Sequence, residues 1–344
     1  MKNQRYVLED GSPSDYLSLC GNLTNGAYSK GLGDFIEEWS EELSYEKMSK
    51  LLSQLTGRLV LSASGVQSYL ERKAESISKQ WVLESKKALT QIAVLSDIEL
   101  YQQESKEVVL LMDDVGVKAQ KPHKQVERTP NDTKRLDTTV VVIQDGQQHY
   151  HYATAGIDKS GQTIYPIKQA IIDKIGEFHD IEKPIALVAI TDGARSIRIT
   201  LQAIFGIGVC IILDWYHLQL KVKTLMSMIA YKKEDKDLYS NSIKELLWVG
   251  NVAQAIVYID ALEKVKNTGK QKELRDYLEK HQKEIIDYGL RKAANKTIGS
   301  GRAEKANDLV VAHRQNKKGM AWAKTGSSSL AIIKINRLNN KIAA

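Results

Sequence analysis

The sequence is poor in cysteine, with two in 344 residues, Cys20 and Cys210. Two scattered thiols make neither a disulfide framework nor the paired spacing of a zinc ribbon, and they fit a reducing compartment. Long apolar runs are also missing. The longest, such as Val108–Met112 and Ile185–Ile190, fall far short of the roughly 18–20 residues that a membrane span needs. The N-terminus, Met1-Lys2-Asn3-Gln4-Arg5, leads into polar sequence and not into an apolar stretch, so no secretory signal is read there. The expectation is a cytoplasmic protein with no membrane partner. No internal repeat or low-complexity tract stands out.

What is present points to a globular chain with a polyanionic partner. Hydrophobic residues make up 42% of the sequence, enough for a sizeable core, and the length suggests about two domains. Lysine and arginine number 49 against 42 acidic residues, a formal net charge of +7. A basic balance of this kind favours DNA or RNA first among partners.

Along the chain, residues 1–30 read as a loose polar leader, and residues 32–105 as helices without proline. Residues 107–215 change character, with β-branched runs broken by turn signals. Val108–Met112 reads as a first strand ending at Asp113-Asp114, and Lys118–Lys134 as a basic loop. Thr138–Gln144 and His149–Ile157 are the next strands, joined by a tight turn at Asp145-Gly146. An amphipathic helix follows at Ile167–Phe178. Pro184–Thr191 is a buried strand ending at Asp192-Gly193, Arg195–Phe205 a helix, and Gly208–Leu213 a strand ending at Asp214. Residues 216–296 return to helices dense in Lys and Glu. Three antiparallel strands followed by alternating helices and strands is the order of an RNase H-like α/β fold. The expected architecture is therefore an RNase H-like mixed sheet with a helical insertion, preceded by an all-α N-terminal segment.

The acids fall at meaningful places. Asp113 or Asp114, Asp192 and Asp214 each end a strand, and open α/β sheets put functional groups at the carboxyl ends of strands. Any one of them is also ordinary turn chemistry; as a set in this strand order they suggest a site. Carboxylates converging there repel one another unless a cation neutralises them, and oxygen-only ligands suit Mg²⁺ or Mn²⁺. Two such ions about 4 Å apart can activate an attacking oxygen and stabilise the leaving oxygen of a phosphodiester. A further carboxylate is expected on a later helix. In Gly299-Ser300-Gly301-Arg302-Ala303-Glu304-Lys305-Ala306-Asn307 the glycines permit a tight loop into a helix, with Glu304 in the first turn, where the helix dipole favours an anion.

Four segments together resemble one family. They are Ile190-Thr191-Asp192-Gly193-Ala194-Arg195, Ile212-Leu213-Asp214-Trp215-Tyr216-His217-Leu218, Gly299-Ser300-Gly301-Arg302-Ala303-Glu304-Lys305, and Arg314-Gln315-Asn316-Lys317-Lys318-Gly319-Met320-Ala321-Trp322. In order and spacing they are similar to bacterial insertion-sequence transposases of the ISKra type, relatives of the Mutator-like DDE transposases, over roughly residues 105–340. The resemblance implies an Asp-Asp-Glu triad that uses Mg²⁺ (or Mn²⁺) to cleave DNA at transposon ends and join it to target DNA. It makes Asp192 the second acid, Glu304 the third and Asp113 the first, with Asp114 as the rival. It implies an all-α insertion at about residues 218–297 in the long gap before Glu304. Asp214 and His217 match a supporting Asp/Cys-x-x-His motif, and Arg302 lies within the third-acid motif. Transposon ends and target DNA are the implied partners, acting with a homo-oligomer in a bacterial nucleoid.

Two departures from the family stand out. Relatives carry cysteine pairs near the N-terminus that are missing here, so the chain reads as a shortened copy, and Asp113-Asp114 replaces the more usual Asp-Gly.

The region in front, residues 1–105, is expected to bind DNA, leaving residues 106–344 as the catalytic domain. Tyr45, Met48, Leu51, Leu52 and Leu55 form a helical stripe in Ser44–Leu55, stopped by Thr56-Gly57. A second helix is expected from about Ser64 to Ala74, with Ser64-Gly65-Val66-Gln67 at capping-box spacing. Gln67, Ser68, Arg72 and Lys73 give it a polar face suited to a major groove, as in a helix-turn-helix; a plain helical hairpin fits the same pattern. Two rival functions use the same features: an RNase H-like nuclease or resolvase without strand transfer, and a decayed, non-catalytic DNA-binding derivative.

Overall fold

The computed structural model describes residues 28–85, 91–104, 106–121 and 134–342, together with short strands at Arg5–Val7, Pro13–Asp15 and Leu23–Thr24. The rest of the leader, Cys20 and most of the Lys118–Lys134 stretch lie outside the described residues.

Five strands build one sheet: β1 (Val108–Lys118), β2 (Arg135–Gln144), β3 (Tyr150–Ala153), β4 (Leu187–Thr191) and β5 (Cys210–Leu213). Their spatial order is β5-β4-β1-β2-β3. β1, β2 and β3 run antiparallel, while β4 is parallel to both β1 and β5. This is the RNase H-like arrangement. The β-branched runs are continuous because both faces of the sheet are covered. Val109, Leu111, Val142, Val188 and Ile190 sit in one apolar cluster, and Leu110, Met112, Val141, Ile143 and Ala189 in another on the opposite face.

Three details of the expected strands change. β1 does not end at Asp113-Asp114. It runs on to Lys118 because β2 is nearly as long and pairs with it as far as Lys118↔Arg135. The β2–β3 turn is not set by a left-handed Asp145-Gly146 pair; the positive φ, 71°, falls on Gln148. The Asp145 carboxylate accepts from the Gln147 and His149 amides at 2.8 and 2.9 Å and shapes the turn itself. The third strand stops at Ala153, and Gly156–Ile157 pairs instead with Thr163–Tyr165 in a separate two-stranded ribbon.

The N-terminal helices are α1 (Lys30–Trp39), α2 (Tyr45–Thr56) and α3 (Ala63–Glu84). α2 follows its expected limits, with the Ser44 hydroxyl capping it and Gly57 ending it at φ 69°. α3 is much longer than expected. Its cap is Ser62, whose hydroxyl accepts from Gly65 N–H at 3.1 Å, two residues before the expected Ser64. The apolar contacts do not stop at residue 105: Ile36, Met48, Leu52, Val66, Leu70 and Ile77 belong to the same cluster as Val109 and Leu111. The Ser78 hydroxyl even accepts from Ile157 N–H, at 3.1 Å.

Between β4 and β5 lies α5 (Arg195–Phe205); α4 (Ile167–Gly176) precedes β4. After β5 the chain is helical: α6 (Trp215–Ile229), α7 (Lys233–Trp248), α8 (Val252–Asp260), α9 (Thr268–Lys280) and α10 (Tyr288–Ala293). A short helix, α11 (Gly301–Asn307), then packs on β1 and β2 and passes into a π-helical turn, Asp308–Ala312. The last helix, α12 (Lys324–Ile342), lies along α3. Between them, Trp322 exchanges backbone hydrogen bonds of 2.9 Å with Lys118 and Gln120, and Arg314 lies over its ring. That C-terminal motif therefore closes the far end of β1.

Candidate active site

Parallel register brings the acids level with one another. Leu111 pairs with Ile190, and Thr191 with Leu213. Continuing each strand at the same rise sets Asp113 beside Asp192, and Asp192 beside Asp214. Alternation then decides which neighbour faces what. Asp113 shares the face of Val109 and Leu111, the face that α11 covers. Asp114 turns to the other side, is exposed, and accepts from the Thr139 hydroxyl at 2.5 Å.

Asp113 is half-buried and held from two directions. Its Oδ1 accepts from the Asp114 amide at 2.8 Å and its Oδ2 from Asn307 Nδ2 at 2.7 Å. Burial pushes its carboxyl up from the ordinary value; the Asp114 hydrogen bond opposes this, the charge of Asp192 adds to it, and His217 opposes it. Asp192 is half-buried in the turn after β4, with its Oδ1 accepting from Ala194 N–H at 2.8 Å. Gly193 makes this turn possible at φ 86°, and a side chain there would meet His281 Cε1 at 2.8 Å. His281 is buried, bonds to Glu284 through Nδ1 at 2.6 Å, and Glu284 pairs with Arg198 at 2.6 Å. The helical insertion thus packs directly under the Asp192 turn. Tyr277, in the same insertion, has its hydroxyl pushed up to about 12, first by burial and then by the charge of Asp192.

Asp214 has a different fate. It is fully buried. Its Oδ1 accepts from the Tyr216 and His217 amides at 2.6 and 3.0 Å, capping α6, and its Oδ2 accepts from both the amide and the hydroxyl of Ser300. Gly299 lets the loop approach this closely, since a Cβ there would lie 2.5 Å from the Tyr216 ring. The loop delivers Glu304 to the first turn of α11, exposed, with Oε1 3.4 Å from His217 Nε2.

Among the described residues, Asp214, His217 and Glu304 are the metal-ligand types whose ligand atoms all lie within 4.8 Å of one another. Asp214 is a poor ligand despite this, because four donors already occupy its two oxygens. Among the described residues, Glu304 is exposed, Asp192 accepts on one oxygen only, and Asp113 carries one donor on each oxygen. Asp113, Asp192 and Glu304 offer the hard oxygen ligands a small divalent cation takes, but their ligand atoms do not all lie within 4.8 Å of one another. Asn307 strengthens the fit: it is 7% exposed, yet its Oδ1 has no hydrogen-bond partner among the described residues.

The remaining expected residues are spread out. Arg302 stacks over the Tyr150 ring, 4.7 Å from its centroid. On α3, Gln67 bonds to Glu71 at 2.9 Å, Lys73 pairs with Glu37 at 2.9 Å, and Arg72 lies over the Tyr28 ring at 5.8 Å. Ser68 and Arg72 are exposed, whereas Val66, Tyr69, Leu70 and Ala74 bury the opposite side of the helix. Asn307, His281 and Ser300 were not expected at the site. Asn307 carried one usable signal, its position one helical turn after Glu304.

No protein-family model and no curated protein sequence matches the chain. Among solved structures, the Drosophila P element transposase strand transfer complex is similar at 9% identity, over 95% of this chain and 82% of that one, with a TM-score of 0.30. A likeness that slight carries no argument, and the fold rests on the strand order and register above. Among the described residues no helix is long and apolar enough to cross a membrane.

Proposed function

We propose that the chain is a DDE transposase of the ISKra type, with Asp113, Asp192 and Glu304 as its acids and DNA as its substrate. The observation that carries this reading is the parallel register of β1 and β4, which, continued past Leu111 and Ile190, sets Asp113 level with Asp192, together with the packing of the Glu304 helix on β1. Mg²⁺ or Mn²⁺, when bound, would neutralise these carboxylates, polarise the scissile phosphodiester and ease ionisation of the attacking water or 3′ hydroxyl. Asp113 and Asp192 form the fixed part of the cradle. Glu304 is the adjustable part, exposed and on a short helix. His217, beside Glu304, is suited to bond a phosphate oxygen or steady that carboxylate. The basic balance of the chain favours a polyanion, and the solvent-facing Ser68 and Arg72 of α3 are candidates for DNA contact.

The test is strand cleavage and strand transfer on DNA carrying the element's ends, with Mg²⁺. Asp113→Asn, Asp192→Asn and Glu304→Gln should each abolish both reactions while DNA binding persists, and Asp114→Asn should keep much of the activity. Normal cleavage by the Asp192 or Glu304 variant would remove the triad. Cleavage without any transfer product would instead favour an RNase H-like nuclease.

A further inference from the structure

Asn307 has two properties that do not belong together in a residue kept for stability. Its side chain is more than nine-tenths buried, and its Oδ1 is left without a hydrogen-bond partner among the described residues. A buried, unpaired carbonyl oxygen weakens a fold, and an apolar residue of the same shape removes that cost. The amide is oriented with its Nδ2 donating to the Asp113 carboxylate at 2.7 Å, which leaves Oδ1 as the unpaired atom. Asn307 is also the last residue of α11 before the π-helical turn Asp308–Ala312. Such one-turn π segments inside helices are frequent at functional sites. Three residues apart on α11, Glu304 and Asn307 lie near the same side of the helix.

We infer that Asn307 is a positioning residue of the cation site, resting on the reading of Asp113, Asp192 and Glu304 as cation-holding acids. Its Nδ2 fixes the plane of the Asp113 carboxylate, whose other oxygen is held by the Asp114 amide. Through the same bond it ties the helix of the third acid to the strand of the first. Its unpaired Oδ1 is the spare acceptor, available to a cation-bound water or to the cation itself.

The experiment measures binding of Mn²⁺ alone to the full, DNA-free chain by calorimetry, beside the thermal midpoint of each cation-free variant. Leucine has the shape of asparagine without its polar atoms. Asn307→Leu removes the unpaired oxygen and also the bond to Asp113, two opposing effects on the midpoint, and should weaken Mn²⁺ binding about tenfold or more. A purely structural residue would leave Mn²⁺ affinity unchanged in the folded variant, and that result overturns the inference. If the leucine variant does not fold, Asn307→Asp carries the test. It sets a second carboxylate against Asp113, so its midpoint should fall without cation and recover with Mn²⁺ by more than the wild type gains; equal gains overturn the inference. Asp192→Asn and Glu304→Gln separate the two levels. If they weaken Mn²⁺ binding and Asn307→Leu does not, the role of Asn307 alone fails. If they bind Mn²⁺ as well as the wild type, the site itself is wrong and the inference falls with it.

Discussion

Asp192 and Asp214 stand level on neighbouring parallel strands, β4 and β5, and each is followed by a helix. Position and residue type are shared, yet their surroundings are opposite. Asp214 is fully buried, with both oxygens filled by four donors, so its charge is spent on joining β5, α6 and the Gly299-Ser300 loop. Asp192 accepts one amide, from Ala194, and its other oxygen has no hydrogen-bond partner among the described residues. An acid at a strand end is therefore architectural or chemical according to how many donors the next loop supplies. Here Ser300 makes the difference. The two are linked, because the loop that saturates Asp214 is the one that presents Glu304.

The sharpest way to break this comparison is to remove the same charge from both. Asp214→Asn puts an NH₂ group where donors now point, leaving either the α6 cap or Ser300 unpaired inside the protein. Hydrogen bonds to a buried charge contribute about 1.5–3 kcal/mol each, so a loss of roughly 3 kcal/mol or more is expected. Asp192→Asn, at an open position, should change stability by about 0.5 kcal/mol or less. Urea denaturation of both variants measures the difference. Equal losses would show that saturation by donors is not what separates these acids.

A smaller effect tests what holds Asp192 in place. Gly193 sits at φ 86° with His281 packed beneath it. Gly193→Ala adds the strain of a left-handed side chain, about 1 kcal/mol, to a contact at 2.8 Å from a buried ring. The total expected loss is about 1–3 kcal/mol, with strand cleavage reduced more than DNA binding. His281→Ala in the same background should recover part of the stability by opening space. If it recovers none, the insertion is not what constrains the Asp192 turn.

Much of this arrangement could be read from residue patterns, and the failures have physical causes. Arg195–Phe205 is legible at its limits because its apolar spacing and flanking turns agree. The full length of β1 is not, because Asp113-Asp114 looks like a turn, whereas a long antiparallel partner overrides that local preference. Nor is that of α3, whose buried residues contact α12 and the Gly156–Ile157 ribbon, far away in sequence. Asp192 and Glu304 stand out as candidates from local motifs. That Asp214 is saturated by Ser300, and that Asn307 meets Asp113, depends on contacts across 86 and 194 residues, beyond the reach of any local motif.

The smallest predicted effect concerns Asp113, the remaining strand acid, which lies between the two extremes: half-buried, with two donors. Burial, the largest influence, raises its carboxyl pKa in the folded state. A carboxyl raised on folding binds its proton more tightly in the native state than in the unfolded chain. Its contribution to stability is then fully present below the unfolded value and is lost as pH rises through the folded one. At neutral pH, without cation, the ionised Asp113 is a net burden on the fold. Asp113→Asn removes that burden and leaves the number of unpaired amide atoms unchanged. Its NH₂ group can face Asn307, whose amide turns over so that Oδ1 accepts and Nδ2 takes the unpaired place, while its oxygen keeps the Asp114 amide. The variant should therefore be slightly more stable than the wild type at pH 7 in chelator, with the advantage shrinking as pH falls through the folded value of Asp113 and gone below the ordinary carboxylate range. Thermal midpoints across pH 3–7 measure this directly. An advantage that grows toward acid would reverse the sign and show that Asp113 is held as a stabilising, donor-saturated anion in the manner of Asp214.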